Sequence, residues 1–330
     1  MKALVTGGTG FVGGAVVREL LRHGHEVRVL ARATSKTGPL EKLGVGVAYG
    51  DILDGASIAR ALEGCETLFH TAAIYEFWVQ DRKLLMRTEV EGSRNAMEAA
   101  LAAGVGRVVY TSTSVVVGEA KGAVGNEKTV HRGYFLSPYE EAKYQAEQVV
   151  KQYRDRLKIA IIKPAAVVGA GDQKPTGQTL INLLNGRIPG LFSGDVTFVD
   201  VDDVAAAHVA AAELERWGKD YIVAAEILPL VEVLRSACRL GGVRPPPVVP
   251  HFVAWWFALI QEWKTKRTGK PPTLPRHMFD LVVHGFRVDG SKAARELGIQ
   301  YASIEESLRQ AVCWYWEQGP FKRKPACVEP

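Results

Sequence analysis

The sequence predicts an α/β protein: a doubly wound parallel sheet with a smaller, discontinuous second domain. Short β-branched runs alternate with stretches of helical spacing through the first half of the chain. A glycine-rich turn joins the first run to the first helix, and after Pro164 the texture changes to a stretch broken by glycine and proline. At 330 residues the chain exceeds one typical domain, and 47% apolar with 23% charged residues is the make-up of a globular protein rather than a disordered one.

In order, residues 3–5, 27–30, 45–49, 67–69, 107–111 and 158–162 read as strands. Between them 12–22, 58–62, 83–103 and 137–154 have helical length or spacing, and right-handed crossovers then lay the strands parallel. Beyond Pro164, glycines 169, 171, 177, 186, 190 and 194 mark loop-rich chain. Residues 196–199 and 221–224 again read as strands, with a helix over 202–214 between them, so the chain is expected to return to the sheet. The expected division is 1–168 completed by 196–224, and a mostly helical second part of 169–195 and 225–330. Pro245-Pro246-Pro247 and Pro271-Pro272 punctuate that part, and a helix near 304–317 closes it.

Composition excludes several classes. Cys65, Cys238, Cys313 and Cys327 lie far apart without zinc-ligand spacing, which predicts reduced thiols and a cytoplasmic location. The first residues run straight into a strand without the pattern of a signal peptide. The apolar run 252–260 is far shorter than the roughly 20 residues that cross a bilayer. The net charge of +5 is spread thinly apart from Lys264-Thr265-Lys266-Arg267 and Lys322-Arg323-Lys324, and no nucleic-acid partner is expected.

The segment Thr6-Gly7-Gly8-Thr9-Gly10-Phe11-Val12-Gly13 follows the first strand and opens the first helix, the setting in which a glycine motif binds a dinucleotide. Gly7 and Gly10 let the backbone turn and approach a pyrophosphate, and Gly13 allows close packing. The helix terminus at Phe11 and Val12 favours the anion. Tyr139 and Lys143, four residues apart, share one helix face. A free phenol, with its pKa of roughly 10, is a poor acid/base at neutral pH, and a neighbouring cation brings it into range. Upstream, Val108-Val109-Tyr110-Thr111-Ser112-Thr113-Ser114 ends a strand in consecutive hydroxyls. Thr113 is the candidate to share the substrate oxygen with the tyrosine, while Ser112 and Ser114 fit equally well as turn caps.

With the glycine loop, Thr113, Tyr139 and Lys143 in order, the chain resembles an extended short-chain dehydrogenase/reductase of the NAD-dependent epimerase/dehydratase group, a Rossmann-type fold. Within that group it looks dihydroflavonol 4-reductase-like and is similar to hopanoid-associated sugar epimerase-like members. His70-Thr71-Ala72-Ala73, Val90-Glu91-Gly92-Ser93 and the stretch 198–205 extend the resemblance over nearly the whole chain. The resemblance implies that Asp51 contacts the adenine with Ile52 beside it, that Ala72 and Ala73 line the cofactor, and that Pro164 to Val167 reach the carboxamide. It also implies that Lys143 holds the nicotinamide ribose, and a homodimer would fit the family. Asp51 also fits a plain turn after a strand, and Asp203 is expected to hold the fold. Two positions depart from the family pattern: Glu89 stands where Asn is usual, and Lys163 where Arg or Asn is usual.

At the end of the second strand, Leu30-Ala31-Arg32-Ala33-Thr34-Ser35-Lys36 offers no carboxylate to ribose hydroxyls. Arg32, helped by Lys36, could take a 2′-phosphate, so NADP(H) is favoured and NAD(H) stays open. Between 169 and 195 only Lys174 and Arg187 could grip a diphosphate, which argues against a nucleotide sugar. Residues 252–260 fit an apolar wall or lid for a hydrophobic substrate, an ordinary buried helix, or, with the basic residues to 267, a peripheral membrane contact. The leading reading is an NADPH-dependent reductase of a hydrophobic ketone or aldehyde, or the reverse alcohol dehydrogenase. A sugar or nucleotide-sugar epimerase/dehydratase with tightly held NAD, and a non-catalytic dinucleotide-binding scaffold, are the rivals.

Overall fold

The computed structural model describes residues 1–76, 78, 81–269, 271–321 and 325. The basic run 322–324 and Cys327 lie outside the described residues. The strands are β1 (Lys2–Thr6), β2 (Glu26–Ala31), β3 (Gly46–Tyr49), β4 (Thr67–His70), β5 (Arg107–Thr111), β6 (Lys158–Pro164), β7 (Ala166–Val168), β8 (Asp195–Asp200), β9 (Asp220–Val223) and β10 (Glu226–Pro229). In the first half the helices are α1 (Phe11–Arg22), α2 (Gly38–Glu41), α3 (Gly55–Leu62), α4 (Arg82–Ala102) and α5 (Pro138–Lys151). The remainder are α6 (Pro175–Leu184), α7 (Val201–Glu213), α8 (Leu230–Leu240), α9 (His251–Thr268), α10 (Arg276–His284), α11 (Ser291–Leu297) and α12 (Ile304–Glu317).

Among the described residues the main sheet is parallel throughout and seven-stranded, in the order β3-β2-β1-β4-β5-β6-β9. Its register brings Thr6 beside Leu30 and His70, and His70 beside Tyr110, so the strand ends that carry the sequence motifs form one edge. Ligands bind at that edge of such sheets, outside the carboxyl ends at the point where strand order reverses. Both faces are buried: Val16, Val17 and Val204 pack one side, and Ile58, Met97 and Val150 the other. That two-sided burial explains why these strands read as continuous apolar runs rather than alternating ones.

Helix starts follow local chemistry. Asp54 and Asp81 accept hydrogen bonds from the first amides of α3 and α4, and Ser137 accepts one from Glu140 N ahead of Pro138 in α5. The stretch expected to be loop-rich contains α6, which begins at Pro175 and carries Gly177 in its interior. A Cβ on Gly177 would strike the Asp172 carbonyl, so this glycine serves close packing rather than breaking the helix.

The return to the sheet differs from expectation. Residues 195–200 join a separate three-stranded sheet, parallel to β7 and antiparallel to β10, and only β9 extends the main sheet. Strand propensity reports that a segment is extended and half-buried, not which partner it takes.

A buried ion network braces the far end of the main sheet. Lys163 on β6 sits 2.8 Å from Glu147 of α5 and 3.1 Å from Asp220 of β9. Glu147 also accepts from Ser112 Oγ, and Arg154 reaches Asp220. The departure at Lys163 is therefore structural, a tie between α5 and two strands. Among the described residues no helix is long and apolar enough to cross a membrane.

Burial raises the Asp220 carboxyl, but Lys163, Arg154 and Lys151 outweigh it and hold the pKa down at about 2. A depressed carboxylate pKa adds stability that is full above the ordinary carboxylate value and is lost as pH falls toward the folded value. Asp220→Asn should therefore lower urea stability near neutrality by roughly 3 kcal/mol, because it leaves Lys163 without one partner. It should also flatten the loss of stability between pH 4 and pH 2 relative to wild type, as followed by unfolding midpoints.

Candidate active site

The glycine loop forms the floor of the site. Gly7 has φ +73°, and a Cβ there would stand 2.7 Å from Ala72 N; one on Gly13 would overlap the Gly7 carbonyl and the Thr71 hydroxyl. These positions exclude any side chain, so β1, α1 and the chain after β4 close up against one another. Gly10 caps α1 without any side-chain hydrogen bond, and the first turn holds no acidic residue. The amides at Phe11 and Val12 thus keep the positive end of α1 open to an anion. This cradle fits a dinucleotide pyrophosphate.

The neighbouring positions fall as follows. Thr6 and Thr71 are linked through the Thr71 hydroxyl, 2.6 Å from Thr6 O, which places Ala72 against Gly7 and leaves Ala73 exposed. Asp51 accepts from Leu53 N at 2.9 Å and stabilises the turn after β3; Ile52 packs over Gly92 of α4. Arg32 is exposed just past β2 and makes no ion pair among the described residues. Pro164 ends β6 with its carbonyl held by Ser114 Oγ at 2.8 Å, and Val167 lies on β7. Ser114 is thus a structural hydroxyl, as is Ser112 through Glu147.

Tyr139, Lys143 and Thr113 come together at the end of β5. Lys143 is only 2% exposed, and its ammonium donates to Thr111 O at 3.0 Å and pairs with Glu89 Oε2 at 3.3 Å. Burial disfavours that charge, yet Tyr110, Glu89 and Tyr139 together raise its pKa above the ordinary lysine value. Burial pushes the Tyr139 phenol up to about 12; Lys143 draws it down, Glu89 pushes it up and Thr113 draws it down. Lys143 thus lowers the phenol's pKa as expected, but burial outweighs it, and the phenol is held above its ordinary value in the free protein. Burial also lowers neighbouring His70 to about 3, so that ring is neutral.

Two residues, Tyr75 and Thr176, were not visible as site residues in the sequence, and Glu89 was visible only as a departure from the family pattern. Glu89 sits one helix away, and its second oxygen accepts from Ile74 N at 2.6 Å, which fixes the connection after β4. Tyr75, carried on that connection, packs edge-on against Tyr139 at 5.6 Å between ring centres. Its hydroxyl meets Thr176 of α6 at 3.0 Å, joining the main sheet to the second part of the chain. Tyr75 and Thr176 have no sequence signal of their own; the departure at Glu89 was visible, but not its ion pair with Lys143. Of the apolar segment 252–260, Phe252, Trp256 and Ile260 are exposed and form no wall in this structure.

The sequence model of the NAD dependent epimerase/dehydratase family matches residues 3–224. A Synechocystis protein named after dihydroflavonol 4-reductase is 33% identical over 335 residues, covering 96% of this chain and 95% of that one. Sterol demethylase protein B of Methylococcus capsulatus is 35% identical, covering 97% and 99%. The 2-alkyl-3-oxoalkanoate reductase of Stenotrophomonas maltophilia is 31% identical, covering 94% and 98%. Among solved structures, gox2253 superposes with a TM-score of 0.85 at 34% identity over 97% of this chain and 99% of that one. MoeE5, solved with UDP-glucose and NAD, superposes with a TM-score of 0.77 at 25% identity, over 96% and 99%.

Replacing Lys143 with Met should leave Glu89 buried without its cation and destabilise the fold by about 3–5 kcal/mol, read as a shift in the urea midpoint. Combining it with Glu89→Gln should recover most of that loss. Equal loss in the single and double variants would show that the pair is not coupled.

Proposed function

The chain belongs to the NAD dependent epimerase/dehydratase family, and from that premise we propose that it is an NADPH-dependent reductase of a hydrophobic ketone or aldehyde, running in reverse as an alcohol dehydrogenase. The observation that carries the reading is the half-buried Tyr139 phenol, held above its ordinary pKa by burial, with Thr113 and Lys143 beside it. A dinucleotide held by its pyrophosphate in the glycine cradle would supply the hydride from its nicotinamide ring. Tyr139 donates its phenolic proton to the substrate oxygen, and Thr113 offers a second hydrogen bond that strengthens as negative charge develops there. Lys143 keeps a positive charge beside the phenol, favouring the phenolate left after transfer. Arg32, exposed and without an ion pair among the described residues, would take a 2′-phosphate through a charge-assisted contact.

An apolar carbonyl compound is supported by the ring of Tyr75 beside the acid and by the scarcity of cations between 169 and 195. The names of the relatives, which refer to an alkyl-oxoalkanoate and a sterol, point the same way. A second reading, sugar epimerisation with retained NAD, draws on the likeness to MoeE5 with its bound UDP-glucose and NAD.

Fluorescence titration with NADPH and NADH tests the cofactor. Arg32→Ala should weaken NADPH roughly 10- to 100-fold and leave NADH nearly unchanged. Stoichiometric NAD⁺ carried through purification, with no preference for NADPH, would favour epimerisation. In a screen of hydrophobic ketones, Tyr139→Phe should cut kcat by about 100-fold or more while cofactor binding survives.

Reduction requires the proton on Tyr139, so the rate should hold below the phenol's pKa and fall as pH rises through it. Glu89→Gln removes an anion that raises this pKa, so the fall should move to lower pH. Superimposable pH profiles for the two proteins would remove Glu89 from this role.

A further inference from the structure

α9 presents its large apolar side chains to the outside. Phe252, Val253, Trp256, Ile260 and Trp263 are 67, 40, 58, 49 and 53% exposed, whereas Ala254, Ala258 and Thr265 are buried. At 3.6 residues per turn the five exposed side chains fall within an arc of about 100°, and the three buried ones lie on the opposite side. The helix is thus seated on the protein through small residues and Trp255 while Phe252, Trp256 and Trp263 face outward, unlike a helix that only fills a core. Cations share the outer face. The Arg267 guanidinium stacks 3.8 Å from the centre of the Trp263 ring, and Lys264 and Lys266 are exposed beside it. The helix contains a single acid, the half-buried Glu262.

We infer that α9 is a monotopic membrane contact that lies along an anionic lipid surface. Phe252, Trp256, Ile260 and Trp263 would enter the boundary between headgroups and acyl chains, with Lys264, Lys266 and Arg267 on the lipid phosphates. Tryptophan suits that boundary because an apolar ring carries a polar N–H, and a basic flank adds attraction to anionic lipid. The basic end of α9 is complementary in charge to an anionic bilayer. α9 packs on α10, where Arg276 lies 5.9 Å from the Trp255 ring centre.

Co-sedimentation of the full-length protein with phosphatidylcholine vesicles, with and without phosphatidylglycerol, tests the inference. The wild type should pellet with the anionic vesicles and lose binding as salt rises. A Trp256→Ser/Trp263→Ser variant and a Lys264→Ser/Lys266→Ser/Arg267→Ser variant should each lose about 10-fold or more in partitioning. Their thermal melting and NADPH binding should match wild type, which separates a lost contact from a lost fold. Protein that stays in the supernatant with both vesicle types, or a tryptophan variant that pellets like wild type, would overturn the inference. So would a dimer in sedimentation velocity that the tryptophan variant splits, because a second copy would then cover the face.

Discussion

A single buried charge sets the geometry of the site. The Lys143 ammonium is almost wholly shielded from water, and an unpaired charge there would cost several kcal/mol. It is tolerated because Thr111 O on β5 and Glu89 on α4 both meet it. Those contacts tie α4, α5 and the end of β5 into one arrangement. Through its second oxygen Glu89 also holds Ile74 N, which places Tyr75 against Tyr139. The position of the acid and of the ring beside it thus both follow from where one lysine finds its partners.

Stability and chemistry draw on the same burial. Burial outweighs the neighbouring cation and holds the Tyr139 phenol above its ordinary pKa. On β6, Lys163 is also buried but serves as a tie between Glu147 and Asp220. Two lysines on neighbouring elements therefore have different tasks, and the difference lies in what surrounds them. Lys143 faces a phenol at an open strand end, while Lys163 faces two carboxylates inside the sheet's edge.

The open start of α1 is the complement to this closed node. No side chain caps it and no carboxylate sits in its first turn, so its amides remain free where an anion would arrive. The glycine loop and the Tyr139 group thus stand at the ends of β1 and β5, with β4 between them, on the edge that the topology reserves for ligands.

Much of this was legible in the sequence because it depends on neighbours along the chain. The glycine spacing, the four-residue step from Tyr139 to Lys143 and the alternation of strands with helices are local patterns, and each appears in the structure where the chain order places it. What the sequence could not reveal depends on partners far apart along it. Residues 195–200 are plainly a strand, but only packing decided that they pair with β7 and β10 rather than with the main sheet. Likewise the aromatic content of 252–263 is visible at once, whereas which side of α9 faces outward follows from the surface on which its alanines rest. Tyr139 was identifiable as the candidate acid/base, yet the shift of its pKa is set by burial and by groups such as Glu89, fifty residues away in the chain. Local patterns reflect backbone geometry and period, which few residues determine; partner choice, exposure and pKa reflect the whole fold, because burial and Coulomb forces act through space.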